Sequence, residues 1–133
     1  MAERSVLLDT SVIIDPPRHG IASFADVVSI SAMTVAELHS GVGVSADPVD
    51  QLHRRQRLRL VLDTYDVLPF DAEVAEFYGL LANVVRQAGR NPRPRRMDLL
   101  IAATAVRHGF SLATRNAADL RHLERVLTVI DVH

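Results

Sequence analysis

The sequence contains no cysteine, no lysine and no tryptophan. Without cysteine there can be no disulfides, no thiolate metal sites and no thiol nucleophile. Without lysine there is no Schiff-base chemistry, no lysine-tipped phosphate loop and no receiver-domain lysine. All fifteen basic residues are arginine, which a GC-rich genome explains more simply than selection for bidentate phosphate contacts. Aromatic residues make up only 5% of the chain, so base-stacking platforms are not evident. The six histidines are scattered, with no paired metal-ligand spacing. No apolar run approaches the roughly 18 residues of a membrane span, and the N-terminus lacks the apolar core of a secretion signal. The expectation is a cytoplasmic chain with no membrane partner.

What is present fits one compact domain over residues 1–133, with 48% hydrophobic residues and a net charge of −1. Val6-Leu7-Leu8 has no polar alternation and reads as a strand covered on both faces, as in a parallel sheet. It ends in Asp9-Thr10-Ser11, which puts a carboxylate at the strand's carboxyl end, where open α/β sheets place their ligands. A short helix from Thr10 is stopped by Pro16-Pro17. Strands are predicted at Val27–Ser31, Val67–Phe70, Ser111–Thr114 and Val126–Val132. Helices are predicted at Thr34–Gly41, Val49–Thr64, from Asp71 as cap to about Gln87, at Met97–His108 and at Asn116–Leu123. Residues 89–96, with two prolines and four arginines, read as an exposed loop. Strands alternating with helices imply a three-layer α/β/α domain with a mainly parallel central sheet of about five strands.

The chemistry lies in the acids. Asp98 opens the most apolar helix, where it could be an N-cap, a favourable charge at the positive helix end, or a metal ligand. Glu37 alone reads as solvent-exposed. Asn116-Ala117-Ala118-Asp119 has the spacing of an N-cap with an acidic third residue, so capping competes with chemistry there. The set carries more weight than its members: Asp9, Asn116 and Asp119 follow strand ends on one side of a parallel sheet, and the helices bearing Glu37 and Asp98 can start at the same edge. Converging carboxylates repel one another unless a cation neutralises them. Oxygen ligands without cysteine favour Mg²⁺ or Mn²⁺, ions that typically act on phosphates. By contrast, Gly41-Val42-Gly43-Val44-Ser45-Ala46 matches a dinucleotide fingerprint in letters only, because it follows a helix and not a strand.

Val6-Leu7-Leu8-Asp9-Thr10-Ser11, Thr34-Val35-Ala36-Glu37-Leu38, Met97-Asp98-Leu99 through Ala105, and Ala113-Thr114-Arg115-Asn116-Ala117-Ala118-Asp119-Leu120 follow in the motif order of PIN-domain nucleases. The chain resembles the VapC-type toxins of that family over essentially its whole length. The resemblance implies a Mg²⁺- or Mn²⁺-dependent endoribonuclease. Its acids would be Asp9, Glu37, Asp98 and Asp119, one turn beyond the neutral Asn116, with metal held by Asp9, Asp98, Asp119 and Asn116. Ser11 and Thr114 would bond to the ligands or to bound water. Asn116 stands where many relatives carry aspartate, and Leu120 where they often have phenylalanine. Arg115, inside a motif, and Arg96, beside Asp98, are candidate RNA contacts. The family further implies a homodimer, an RNA substrate (transfer, ribosomal or messenger) and a VapB-like antitoxin that joins the toxin in a larger complex. A non-catalytic scaffold binding RNA or protein, and a receiver-like phosphoacceptor, are the rival readings.

Overall fold

The computed structural model, which describes residues 3–133, has five strands and five α-helices. They are β1 (Ser5–Leu8), α1 (Thr10–Ile14), β2 (Val27–Ser31), α2 (Ala32–Val42), α3 (Pro48–Thr64) and β3 (Asp66–Leu68), followed by α4 (Ala72–Gln87), α5 (Arg96–His108), β4 (Ser111–Thr114) and β5 (Val129–Asp131). A 3-10 segment, Ala117–Leu123, joins the last two strands. The sheet has the order β3-β2-β1-β4-β5, and every pair in it is parallel, so β1 is the middle strand. All the carboxyl ends therefore lie along one edge. Registers are tight: Leu8 pairs with Ile30 on one side and Ala113 on the other, which aligns the ends of β1, β2 and β4.

Strand alternation divides the core into two layers. Val6 and Leu8 point to one face with Ile30, Ala113, Val12, Leu38, Leu58 and Val61, under α1, α2 and α3. Leu7 and Leu112 point to the other, with Val74, Leu81, Val85, Leu99, Ile101 and Ala102 from α4 and α5. A run without polar alternation is what burial on both faces demands, and Val6, Leu7 and Leu8 are at most 1% exposed. Among the described residues no helix is long and apolar enough to cross a membrane.

Element ends follow local chemistry. Asp71 Oδ1 accepts the Val74 N–H at 2.9 Å and opens α4. Gly109, at φ 71°, closes α5 in the left-handed region that favours glycine. Pro48, at the first position of α3, needs no N–H there, and Asp47 caps that helix. Several boundaries differ from those predicted. β3 starts and ends earlier than Val67–Phe70, and β5 covers only Val129–Asp131 because the backbone still turns at Leu123–Leu127. α2 starts at Ala32, since the Ser31 hydroxyl accepts the Met33 N–H. Residues 89–96 are not wholly irregular: Arg93–Arg95 forms a 3-10 turn leading directly into α5. Gly41 and Val42 lie inside α2, so the strand-to-helix context of a dinucleotide loop is absent.

Candidate active site

The last residue before α1 sits in a hydroxyl cradle. Asp9 is only 6% exposed, a burial that is costly for a carboxylate without partners. Its Oδ2 accepts the Ser11 hydroxyl at 2.7 Å and the Thr114 hydroxyl at 2.9 Å. Each hydroxyl is itself a relay: Ser11 Oγ accepts the Arg115 N–H at 3.1 Å, and Thr114 Oγ1 accepts the Asn116 N–H at 3.0 Å. Two backbone dipoles thus polarise the hydroxyls that orient Asp9. Oδ1 has no bond among the described residues and is left for another group. The parallel β1–β4 pairing makes this possible, because it brings Thr114 beside Asp9 across 105 residues of sequence.

Glu37, on the second turn of α2, is half-buried and far less solvated than its sequence position implied. Thr10 Oγ1 donates to Glu37 Oε1 at 2.6 Å and lies 3.1 Å from the fully buried Thr34 Oγ1. Thr10 therefore ties the start of α1 to α2 and aims the glutamate. Sequence reasoning gave this role to no residue; Thr10 was legible only as part of the Asp-Thr-Ser motif.

Asp98 is the third residue of α5, not its cap; the cap position is Arg95, which makes no side-chain cap bond. The Asp98 carboxylate is half-buried and has no hydrogen-bond donor among the described residues. Burial above all, then the charge of Asp9, pushes its carboxyl above the ordinary range. Arg95 pulls it partly back, while Glu37 and Asp119 push it up again. The four acids of the motifs therefore share one electrostatic field, and Asp98 bears the excess.

Asp119 is differently placed. Both its oxygens are taken by Arg95, whose Nη1 and Nη2 each donate at 3.0 Å. The capping reading that competed with chemistry at Asn116 and Asp119 is not met: Asn116 makes no side-chain cap bond and is exposed. Arg95, one of four arginines in a loop, was not singled out by the sequence. Its pairing across 24 residues depends on how the turn at 93–95 meets the 3-10 segment, for which there is no local signal. The Arg115 side chain is held by Asp15: its Nε donates to the Asp15 carbonyl at 2.8 Å and lies 3.5 Å from the Asp15 carboxylate. Arg96 is exposed and makes no ion pair among the described residues.

The donor set fits a hard divalent cation. Asp98 is an unpaired carboxylate in a field of like charge, Asp9 keeps one oxygen free, and every available donor is oxygen. Among the described residues no three acidic or histidine side chains come close enough together to enclose an ion, so the ligand cage expected from four residues does not close. Mg²⁺ commonly needs only one or two carboxylates and completes its shell with water and phosphate. A larger cleft of about 670 Å³, lined by His39, Val42, Arg55, Leu58, Arg59 and Leu62, includes none of the four acids.

The PIN domain profile matches residues 6–126. Toxin FitB of Neisseria gonorrhoeae is 34% identical over 86% of this chain and 89% of its own length. Ribonuclease VapC1 of Rickettsia felis is 31% identical over 93% of this chain and 96% of its own. Among solved structures, that of VapBC-5, a toxin–antitoxin system member from Mycobacterium tuberculosis, superposes with a TM-score of 0.83 at 30% identity. It covers 96% of this chain and 99% of the matched one. An all-parallel sheet with a carboxylate at its central strand end, and these likenesses along nearly the full length, lead to one assignment: the chain belongs to the PIN-domain family, among its VapC-type toxins.

Proposed function

We propose that this protein is a metal-dependent endoribonuclease, the toxin of a VapBC-type pair. The observation that carries the reading is the Asp98 carboxylate, half-buried, without a donor, and raised by the burial and by the acids around it. Structure alone would not keep such a group, because an unpaired charge in that position destabilises the fold. Asp9 and Asp98 would hold Mg²⁺ or Mn²⁺, with Asn116 and Asp119 at the margin. When bound, the ion supplies positive charge to phosphate oxygens and acidifies water. Ser11 and Thr114 fix the Asp9 carboxylate through Oδ2, so that its second oxygen stays free for the ion. Glu37, aimed by Thr10, receives a proton from the attacking water. The water oxygen bonds to phosphorus as the bond to the 3′ oxygen breaks, and that oxygen takes up a proton, leaving a 5′-phosphate and a 3′-hydroxyl.

An antitoxin partner finds support in the surface as well as in the relatives. Solved neighbours include the VapBC-5 and FitAcB structures, the former described as a member of a toxin–antitoxin family. An apolar groove of about 310 Å³ is lined by Ile13, Ile14, Pro16, Ile21, Leu60, Val61 and Tyr65, with Leu60 67% exposed. An amphipathic antitoxin helix would cover it. A homodimer and a cytoplasmic site of action complete the reading.

The test is cleavage of total RNA by antitoxin-free protein with Mg²⁺ or Mn²⁺, with EDTA, and as Asp98→Asn. Discrete fragments ending in 5′-phosphate, lost by at least a hundredfold in EDTA and in the variant, are expected at roughly the cost of a removed catalytic ligand. Folded protein that binds RNA without cutting it would point to the scaffold reading instead.

A further inference from the structure

A third concavity borders Asp119 and is lined largely by nitrogen-bearing side chains. Its volume is about 290 Å³, and Arg90, Asn91, Arg95 and His122 surround it over a floor of Val85 and Pro94, with Asp119 at its edge. Arg95 spends one N–H on each Asp119 oxygen and keeps its others. Arg90 follows the C-terminus of α4, where its own N–H closes the helix onto the Val85 carbonyl at 3.1 Å, and its guanidinium has no ion pair among the described residues. Asn91 uses its carbonyl oxygen on the Arg93 N–H, which leaves its amide N–H groups available. His122 Nε2 is buried and has no partner. Burial, and then the charges of Arg90 and Arg95, hold the imidazole below its ordinary value.

Two guanidinium groups, an amide and an unpartnered ring nitrogen line this cleft, and Asp119, the acid in its lining, is already paired with Arg95. Such a set suits a compact, multiply accepting anion, and arginine forks match phosphate oxygens. We propose that this cleft is a phosphate subsite, which takes a backbone phosphate of the RNA strand adjacent to the one being cut. Arg95 is shared between the subsite and Asp119, so the strand is seated against the acids through one side chain. The inference rests on the ribonuclease reading, and it adds a positioning contact to that reading. His122 completes the anion's shell from the 3-10 segment.

Binding can be separated from cleavage by working in EDTA. Anisotropy of a short labelled single-stranded RNA is measured across a salt series for wild type, Arg90→Ala, Asn91→Asp and Arg125→Ala, the last an exposed arginine outside the cleft. Arg90→Ala and Asn91→Asp are expected to weaken binding roughly tenfold. The salt slope should fall by about one for Arg90→Ala, while Arg125→Ala changes little. Inorganic phosphate at matched ionic strength should shift the His122 side-chain resonances in the wild type and not in Arg90→Ala. If both cleft variants bind RNA as Arg125→Ala does, the subsite is overturned while the ribonuclease reading stands. A phosphate response with unchanged RNA affinity would assign the cleft to a free anion, and overturns it as an RNA contact. Wild-type protein that binds no RNA in EDTA overturns the subsite, and the functional reading is then decided by the cleavage assay with Mg²⁺ or Mn²⁺.

Discussion

At the scale of single residues, Asp98 sets function against stability. The folded chain binds a proton at Asp98 more readily than the unfolded chain does, because its carboxyl is raised above the ordinary range. Without metal, the folded state is therefore penalised at pH above the raised value, and stability rises as pH falls through it. Asp98→Asn removes the penalty. It also forfeits a carboxylate in the first turn of α5, worth about 0.3–1 kcal/mol with the helix dipole. The decisive reading is thus the response to metal: Mg²⁺ should raise the melting temperature of wild type by several degrees and leave Asp98→Asn unmoved. Circular dichroism melts at neutral and mildly acidic pH, with and without EDTA, would show it. A variant that responds to Mg²⁺ as wild type does would take Asp98 out of the metal site. Arg4 and Asp26 run the opposite way: their bonds lower the Asp26 carboxyl, so their contribution is present at neutral pH and lost on acidification.

What the sequence made legible at this scale was residue type and position along a motif; what it hid was direction. Asp9 at a strand end is a matter of local pattern, and its hydroxyl partners follow from a parallel β1–β4 pairing. Arg95 and Arg115 have long, flexible side chains, and Arg95 stands among other arginines. Which acid or carbonyl each one meets is settled by tertiary packing, and the sequence contains no spacing that encodes it.

At the scale of elements, the helices that carry no chemistry are held by their ends. α4 has no part in the acid cluster, yet it buries Val74, Leu81 and Val85 against α5 and so fixes the helix bearing Asp98. Asp71→Ala should cost about 1 kcal/mol through loss of its bond to the Val74 N–H, read as a lower urea midpoint with unchanged slope. Leu99→Ala, one position from Asp98 and fully buried, should cost about 2–5 kcal/mol. The strong periodic helices and the uninterrupted strands were readable because burial imposes a pattern. The edge strands were not: β3 and β5 have three residues each, too few for a period, and only their neighbours define where they begin.

At the scale of the whole molecule, β1 is the first strand in the chain and the middle strand of the sheet. One of its edges is met by β2, soon after it in sequence, and the other by β4, about a hundred residues on. A fragment of residues 3–110 should show no cooperative thermal transition and no RNA cleavage, since β1 keeps an open edge and Asp9 lacks Thr114. A sharp melt from that fragment would mean that the remaining sheet is self-sufficient.

The reach from Asp9 to Thr114 also acts as a clock. The Asp9 carboxylate is made first, and the hydroxyl that completes its cradle is made 105 residues later. Throughout that interval the chain is attached to the ribosome, next to messenger, transfer and ribosomal RNA, with its cutting site unassembled. The protein carries its own delay: until Thr114 has emerged there is no assembled cradle for an antitoxin to restrain.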